Sequence, residues 1–293
     1  MALNFPPTDK CQTICYNCFV RRQIWIIEII LFIILVTAMT YIFVASHSVK
    51  ASKSTSEFSP APSSQPPYPS KILNLTNWKI TLPIGTDKKP THPKEIKQPE
   101  LMTYKIDPWF TLTSDEKGVL FRAPVSGPTT GGTKYARSEL REMTDAGASK
   151  AKWSSTEGTH TMFLDEAITA VPKIKQHVVA GQIHGSSDDI IVIRLEFPNL
   201  YVNVNGKNVY TLDPYYTLGK RFTVKFLVTG GQTKVFYNGN SQSSYTLDKN
   251  YSGAYFKAGA YTQSNCNKEF WFWLCNANNY GEVAIYNLIV THQ

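Results

Sequence analysis

Residues 71–293 predict an all-β fold: a sandwich or jelly roll of two antiparallel sheets, preceded by a single transmembrane helix. Three observations predict it. Apolar and polar residues alternate with a period of two along most of this stretch. Asn-Gly and Gly-Gly pairs punctuate the runs, as hairpin turns require. The one long apolar segment, residues 24–44, precedes the domain, and no helical apolar stripe follows it.

The elements follow in order. Residues 1–23 form a short tail carrying Lys10, Arg21 and Arg22, with Cys11, Cys15 and Cys18 in CQTICYNC. Next to a membrane these thiols are candidates for palmitoylation, or are plain reduced cysteines. Residues 24–44 hold 21 residues and a single charge, Glu28. As a helix such a segment spans roughly 31 Å, the thickness of a hydrocarbon core. A signal peptide cleaved near Val44-Ala45-Ser46, giving a secreted form, is the alternative; its apolar region is normally shorter. The arginines ahead of the segment keep the tail cytosolic, against the weaker pull of Lys50 and Lys53, so the chain reads as a single-pass type II protein. Residues 45–70 are rich in Ser and Pro and read as a stalk.

The domain itself, on the lumenal or extracellular side, carries 25 Lys and Arg against 19 Asp and Glu, a net charge of +6. That balance suits an acidic partner. Nucleic acid, acidic lipid and an anionic polysaccharide all qualify; no arginine-rich run or nucleic-acid signature is present, and outside the cytosol the polysaccharide is the expected ligand. Cys266 and Cys275 are the only cysteines past the apolar segment and predict a disulfide closing a short loop. Asn74-Leu75-Thr76 and Asn250-Tyr251-Ser252 are glycosylation sequons.

Strands are expected over 78–82, 119–123, 135–143, 178–184, 190–197, 200–204, 222–228, 234–237, 254–263 and 282–291. Asn205-Gly206, Gly230-Gly231 and Asn238-Gly239 are the hairpin turns among them. Three of these strands share an unusual face. Tyr135, Arg137, Glu139 and Arg141 alternate against Ala136, Ser138 and Leu140. Gln182 and His184 oppose Ile183. Tyr255, Lys257, Gly259, Tyr261 and Gln263 alternate against Phe256, Ala258, Ala260 and Thr262. A solvated outer face is the plain reading of any one strand. Arg, Gln, His and Tyr together fit the floor of a groove for an acidic sugar chain better.

The motifs RSELRE, QIH and YFKAGAYTQ, in that order, resemble the signature strands of the alginate lyases of polysaccharide lyase family seven, and NWKITLPIG resembles their first strand. The resemblance runs from about residue 75 to the C-terminus. It implies a concanavalin A-like jelly roll whose concave sheet binds alginate and cleaves it by β-elimination, without metal or cofactor. Arg137, Gln182, His184 and Tyr261 match the catalytic positions; Glu139, Arg141 and Lys257 match residues lining the cleft, with Tyr255 and Gln263 beside them on the same strand face.

The residue types suit that chemistry. Arg137 and the Gln182 amide can neutralise the uronate carboxylate and the charge that develops on losing the C5 proton. His184 can serve as base. Lys257 and the arginines are expected to favour the Tyr261 phenolate; a tyrosine there can, in its protonated form, donate to the leaving oxygen or, for one sugar epimer, act as both base and acid. Glu139 invites a hydrolase reading, but hydrolysis needs a second carboxylate with a raised pKa. Flanked by Arg137 and Arg141, Glu139 is expected to be a low-pKa strut, and no E-x-D-x-x-E strand is present. His160, His177 and His292 have no evident partners; Asp188-Asp189 reads as a turn with solvated acids, with a place at the border of the groove as the alternative; and FWFWLC at 270–275 reads as core or loop packing, with stacking on sugar rings as the alternative. The remaining alternatives are a jelly-roll module that binds an acidic glycan without cutting it, and a lyase for another polyuronate.

Overall fold

The computed structural model describes residues 67–86 and 88–293. The tail, the apolar segment 24–44 and nearly all of the stalk lie outside the described residues. Among those described, no helix is long and apolar enough to cross a membrane, and the regular structure is strand with short 3₁₀ turns. The strands in chain order are β1 (Trp78–Thr86), β2 (Lys89–Ile96), β3 (Phe110–Leu112), β4 (Val119–Pro124), β5 (Arg137–Thr144), β6 (Ser149–Lys150), β7 (Thr159–Ala170) and β8 (His177–His184). They continue as β9 (Asp189–Glu196), β10 (Asn199–Val204), β11 (Lys207–Asp213), β12 (Phe222–Thr229), β13 (Gln232–Tyr237), β14 (Tyr245–Asp248), β15 (Tyr255–Thr262) and β16 (Tyr280–His292).

One sheet runs β11-β10-β9-β8-β15-β5-β1-β2, with β6 paired to β5; the other runs β14-β13-β12-β7-β16-β4-β3. Their apolar faces share one core, to which Leu140, Ile183 and Phe256 contribute from the first sheet and Phe121, Leu164 and Phe226 from the second. The expected two-sheet antiparallel sandwich is therefore the fold. Asn205-Gly206 and Gly230-Gly231 close tight hairpins with positive φ at both residues, the mirror-image turn that matches strand twist. Asn238-Gly239 turns the chain after β13, but the connection to β14 runs on to residue 244.

Every expected strand is present, with ends shifted by a few residues, while β2, β3, β6, β7, β11 and β14 were not expected. The topology places β15, from late in the chain, between β8 and β5. That insertion brings the three unusual strands side by side.

Candidate active site

Register fixes the cleft floor. Across β15 and β5, Tyr261 pairs with Arg137, Gly259 with Glu139 and Lys257 with Arg141. Across β15 and β8, Tyr255 pairs with His184 and Lys257 with Gln182. Gly259 has φ +131°, and a Cβ there would meet the Ser138 carbonyl oxygen at 2.6 Å, so the backbone beside Glu139 requires glycine. Arg137, Arg141, Gln182, His184, Tyr255, Lys257 and Tyr261, each expected from the sequence, line one cleft of about 280 Å³.

Glu139 sits fully buried beneath them. It accepts from Arg137 Nη1 at 3.0 Å and from Gln182 Nε2, and pairs with Lys257 Nζ. Burial alone would raise its pKa, yet Lys257 and Arg137 hold the carboxyl below its ordinary value. The same burial draws Lys257 down to about 8, against the pull of Glu139. Glu139 is thus an anion held by cations, but by Arg137 and Lys257; Arg141, expected as its other partner, donates through Nη1 to the Glu142 carbonyl at 2.7 Å.

Stacking orders the rest. The Arg137 guanidinium lies 3.9 Å from the Tyr261 ring centre, and Arg141 lies 3.9 Å from that of Tyr255. His184 stacks on the other ring-bearing neighbour, Tyr255, at 5.1 Å. Its Nδ1 donates to the Gly185 carbonyl at 2.8 Å, so in the neutral ring Nε2 is the basic atom. Burial lowers the His184 pKa, with Lys257 and Arg137 acting in the same direction. The ring is a free base at neutral pH.

Tyr261 departs from expectation. Burial raises its pKa, and Arg137 together with the Thr133 hydroxyl, 2.6 Å from the phenol oxygen, only partly offsets this. The phenolate anticipated from neighbouring cations is not favoured; the side chain is a neutral phenol with a proton to give. The sequence pattern carried no measure of burial, which outweighs the nearby charge here.

Three further expectations change. The histidines do have partners: His292 lies between Glu142, Nε2 to Oε1 2.5 Å, and His160, Nδ1 to Nδ1 2.7 Å. His177 Nδ1 meets Arg194 Nη2 at 3.0 Å. Asp188 and Asp189 line the cleft, the alternative to a solvated turn, and burial, with Asp188 adding to it, raises the Asp189 pKa. The 270–275 run does not pack: Phe270 is 81% and Phe272 85% exposed, and Trp271 stacks only on Trp273. The loop base explains this. Cys266 and Cys275 are bonded, and buried Glu269 accepts from Ser264 Oγ, the Ile174 and Lys175 amides and Asn279 Nδ2, holding the aromatic tip clear of the body.

Gln263 lies beside the main cleft, in a smaller cavity that shares Gln182 and Tyr261 with it. Asn74 and Asn250 are both exposed. Sequence reasoning missed Thr133 on Tyr261 and the Lys79–Glu95 pair at the cleft edge, Nζ to Oε1 2.5 Å. Lys79 was legible as a polar residue on an expected strand; Glu95 and Thr133 had no periodic signal.

The sequence profile of the alginate lyase family matches residues 73–292. An alginate lyase of Klebsiella pneumoniae is 27% identical over 293 aligned positions, which take in 77% of this chain and 92% of the relative. Among solved structures, alginate lyase AlgAT5 of polysaccharide lyase family 7 is similar at 50% identity and TM-score 0.72, over 78% of this chain and all of that one. The alginate lyase of a Corynebacterium species is 48% identical with TM-score 0.72, over 77% of this chain and 98% of that one.

Proposed function

The chain belongs to the alginate lyase family, and from that premise we propose that it cleaves alginate by β-elimination in the cleft formed by β5, β15 and β8. The observation that carries the reading is the meeting of Arg137, Gln182, His184 and Tyr261 over the buried Glu139.

Two donors are available for the substrate carboxylate. Arg137 lines the cleft and has guanidinium hydrogens beyond the one given to Glu139, and Gln182 has a second amide hydrogen beyond the one it gives to Glu139. Both would strengthen their bonds as charge moves from C5 onto the carboxylate. His184 Nε2 takes the C5 proton. The C5–H electrons form the C4–C5 double bond, the bond from C4 to the glycosidic oxygen breaks, and the Tyr261 phenol supplies the proton to that oxygen. Solvent then returns a proton to Tyr261 and removes one from His184. Glu139 takes no part in bond making; it orients Arg137, Gln182 and Lys257.

The test is to mix the full chain with alginate and follow ultraviolet absorbance of the unsaturated uronate ends. Absorbance should rise, and Tyr261→Phe should lower kcat by about 10²–10⁴-fold with the fold intact. Binding without any rise would make the domain a glycan-binding module instead.

We also infer that residues 24–44 anchor the chain, with the domain in an oxidising compartment. The apolar run with Arg21 and Arg22 ahead of it supports this, as do the Cys266–Cys275 bond and two exposed sequons. The expressed protein should stay in the membrane fraction after alkaline carbonate washing. Release into the wash would sink the anchor.

A further inference from the structure

We propose that the disulfide-closed loop from Cys266 to Cys275 is a membrane-docking tip, which inserts its aromatic rings into the interface of an anionic lipid bilayer. The proposal goes beyond the lyase reading and requires neither that reading nor the anchor.

The tip is four aromatic residues in a row, Phe270 81%, Trp271 54%, Phe272 85% and Trp273 54% exposed. Trp271 and Trp273 stack at 4.8 Å and 17°, and Phe272 meets Trp273 edge-on at 5.1 Å. The rings thus brace one another outside the body of the domain. The backbone is set to hold them there. Phe270 takes φ +60°, a conformation rare for a bulky residue, and the Trp271 amide donates to the Glu269 carbonyl at 2.7 Å across it. Beneath, the Cys266–Cys275 bond closes the loop, and buried Glu269 accepts from the Ile174 and Lys175 amides. Ile174, itself 46% exposed, extends the apolar surface at the base.

Apolar rings held in water gain only when an apolar medium covers them. Size, shape and charge choose that medium. The exposed rings amount to roughly 500–600 Å², large for one patch on a monomer yet short of the about 800 Å² that each partner gives to a stable protein interface. A sugar ring would cover one aromatic face at a time, and Trp271 and Trp273 already spend a face on each other. Phe270 and Phe272 are open on nearly all sides and have no polar handle, so a fluid hydrocarbon boundary covers them best. The tryptophans, with an apolar body and an N–H, suit the headgroup level above it.

Charge completes the match. Three stretches meet at the loop base, where Asn265 Nδ2 donates to the Lys134 carbonyl at 3.2 Å and Glu269 takes the two amides of Ile174 and Lys175. Residues 124–136, 171–177 and 262–281 together contain Lys134, Lys173, Lys175 and Lys268. Their one acid is Glu269, which is fully buried. Lys134, Lys173 and Lys268 are exposed, so an apolar point stands within a basic collar, the arrangement that anionic headgroups attract. Because the loop leaves the end of β15 that carries Tyr261, docking holds that end of the cleft toward the lipid surface.

Tryptophan emission would report the insertion. The full chain carrying Trp25→Phe, which removes the tryptophan of the apolar segment, would be incorporated into vesicles of equal parts phosphatidylcholine and phosphatidylserine. A chain that does not incorporate would be added to the same vesicles from outside and read in the same way, so failure of the anchor leaves the test intact. Bromine on the acyl chains should quench the emission, and adding Trp271→Ser with Trp273→Ser should abolish that quenching. Phe270→Ser with Phe272→Ser keeps both reporters and should lower the docked-to-free ratio by about tenfold or more, the scale of burying one such ring. Vesicles of phosphatidylcholine alone, or high salt, should weaken the effect. The phenylalanine variant should turn over short alginate oligomers as its parent does, which shows the fold intact. Absence of quenching, or quenching that survives either double variant, would overturn the docking tip. Emission from Trp271 and Trp273 that answers to alginate and not to lipid would make it a glycan platform instead. Self-association lost with Phe270 and Phe272, without quenching, would make it a contact between two copies.

Discussion

An isolated buried carboxylate is strongly disfavoured, and Glu139 persists because Arg137, Lys257 and Gln182 all address it. The arrangement leaves its mark on the cations. Lys257, drawn down to about 8 by burial, is the cleft's most easily lost positive charge. His184, lowered by burial from 6.5, remains a free base below that pH. Free-enzyme ionisations appear in kcat/KM. For alginate, kcat/KM should therefore decline on the alkaline side near pH 8, as Lys257 loses its proton before Tyr261 does, while the acid limb is displaced below the ordinary histidine value. Lys257→Arg keeps a charge at all working pH values and should carry the alkaline limb upward. A limb that stays in place in that variant would assign it to another group.

At the scale of the strand, legibility depended on contrast between faces. β5, β8 and β15 could be read because small or apolar residues such as Ala136, Ser138, Ile183 and Ala258 alternate with the groups that line the cleft. β7 was invisible because its inward face reads His160, Met162, Leu164, Glu166 and Ile168, with two ionisable residues among the apolar ones. β11 is exposed on both faces, so it shows no alternation at all. The ionisation of Tyr261 and the outward aromatic tip were illegible for a related reason: burial belongs to the assembled sheets and not to any local pattern. Glu166 carries a consequence for stability. It is fully buried between Phe222 and Ile285 of the flanking strands, and neither oxygen has a partner among the described residues. Burial, with Asp165 nearby, raises it to about 8. The folded chain holds this proton where the unfolded chain has released it. The stabilisation is complete below the ordinary value of 4.5 and is lost as pH rises through about 8. Glu166→Gln abolishes that dependence. Relative to wild type, its unfolding free energy should rise by on the order of 3 kcal/mol between pH about 5 and about 8. Parallel denaturant curves at both pH values would show it, and a constant difference would mean Glu166 is not the titrating group.

Across the whole domain, charge is distributed to serve a polyanion. Residues 71–293 carry 25 Lys and Arg against 19 Asp and Glu. Lys79, Arg137, Arg141 and Lys257 line the cleft, against Glu95, Asp188 and Asp189, and Arg194 lies in the cavity adjoining it. Acids away from the cleft are neutralised locally, as where Arg221 pairs with the part-buried Asp165 at 2.5 Å. A concave surface with buried cations focuses its field outward and raises the local concentration of an anionic chain. Dissolved salt screens that field over a Debye length of about 10 Å at 0.1 M and about 3 Å at 1 M. The chemical step is insulated, since Arg137 and Gln182 act at contact distance from the substrate carboxylate. Raising salt from about 0.05 to about 0.5 M should therefore raise KM for polymeric alginate several-fold while kcat changes little. Short oligomers, with fewer carboxylates in the field, should respond less. Steady-state kinetics on both substrates at matched pH would decide it. A fall in kcat with constant KM would place the salt-sensitive charges in the reaction step and not in capture of the chain.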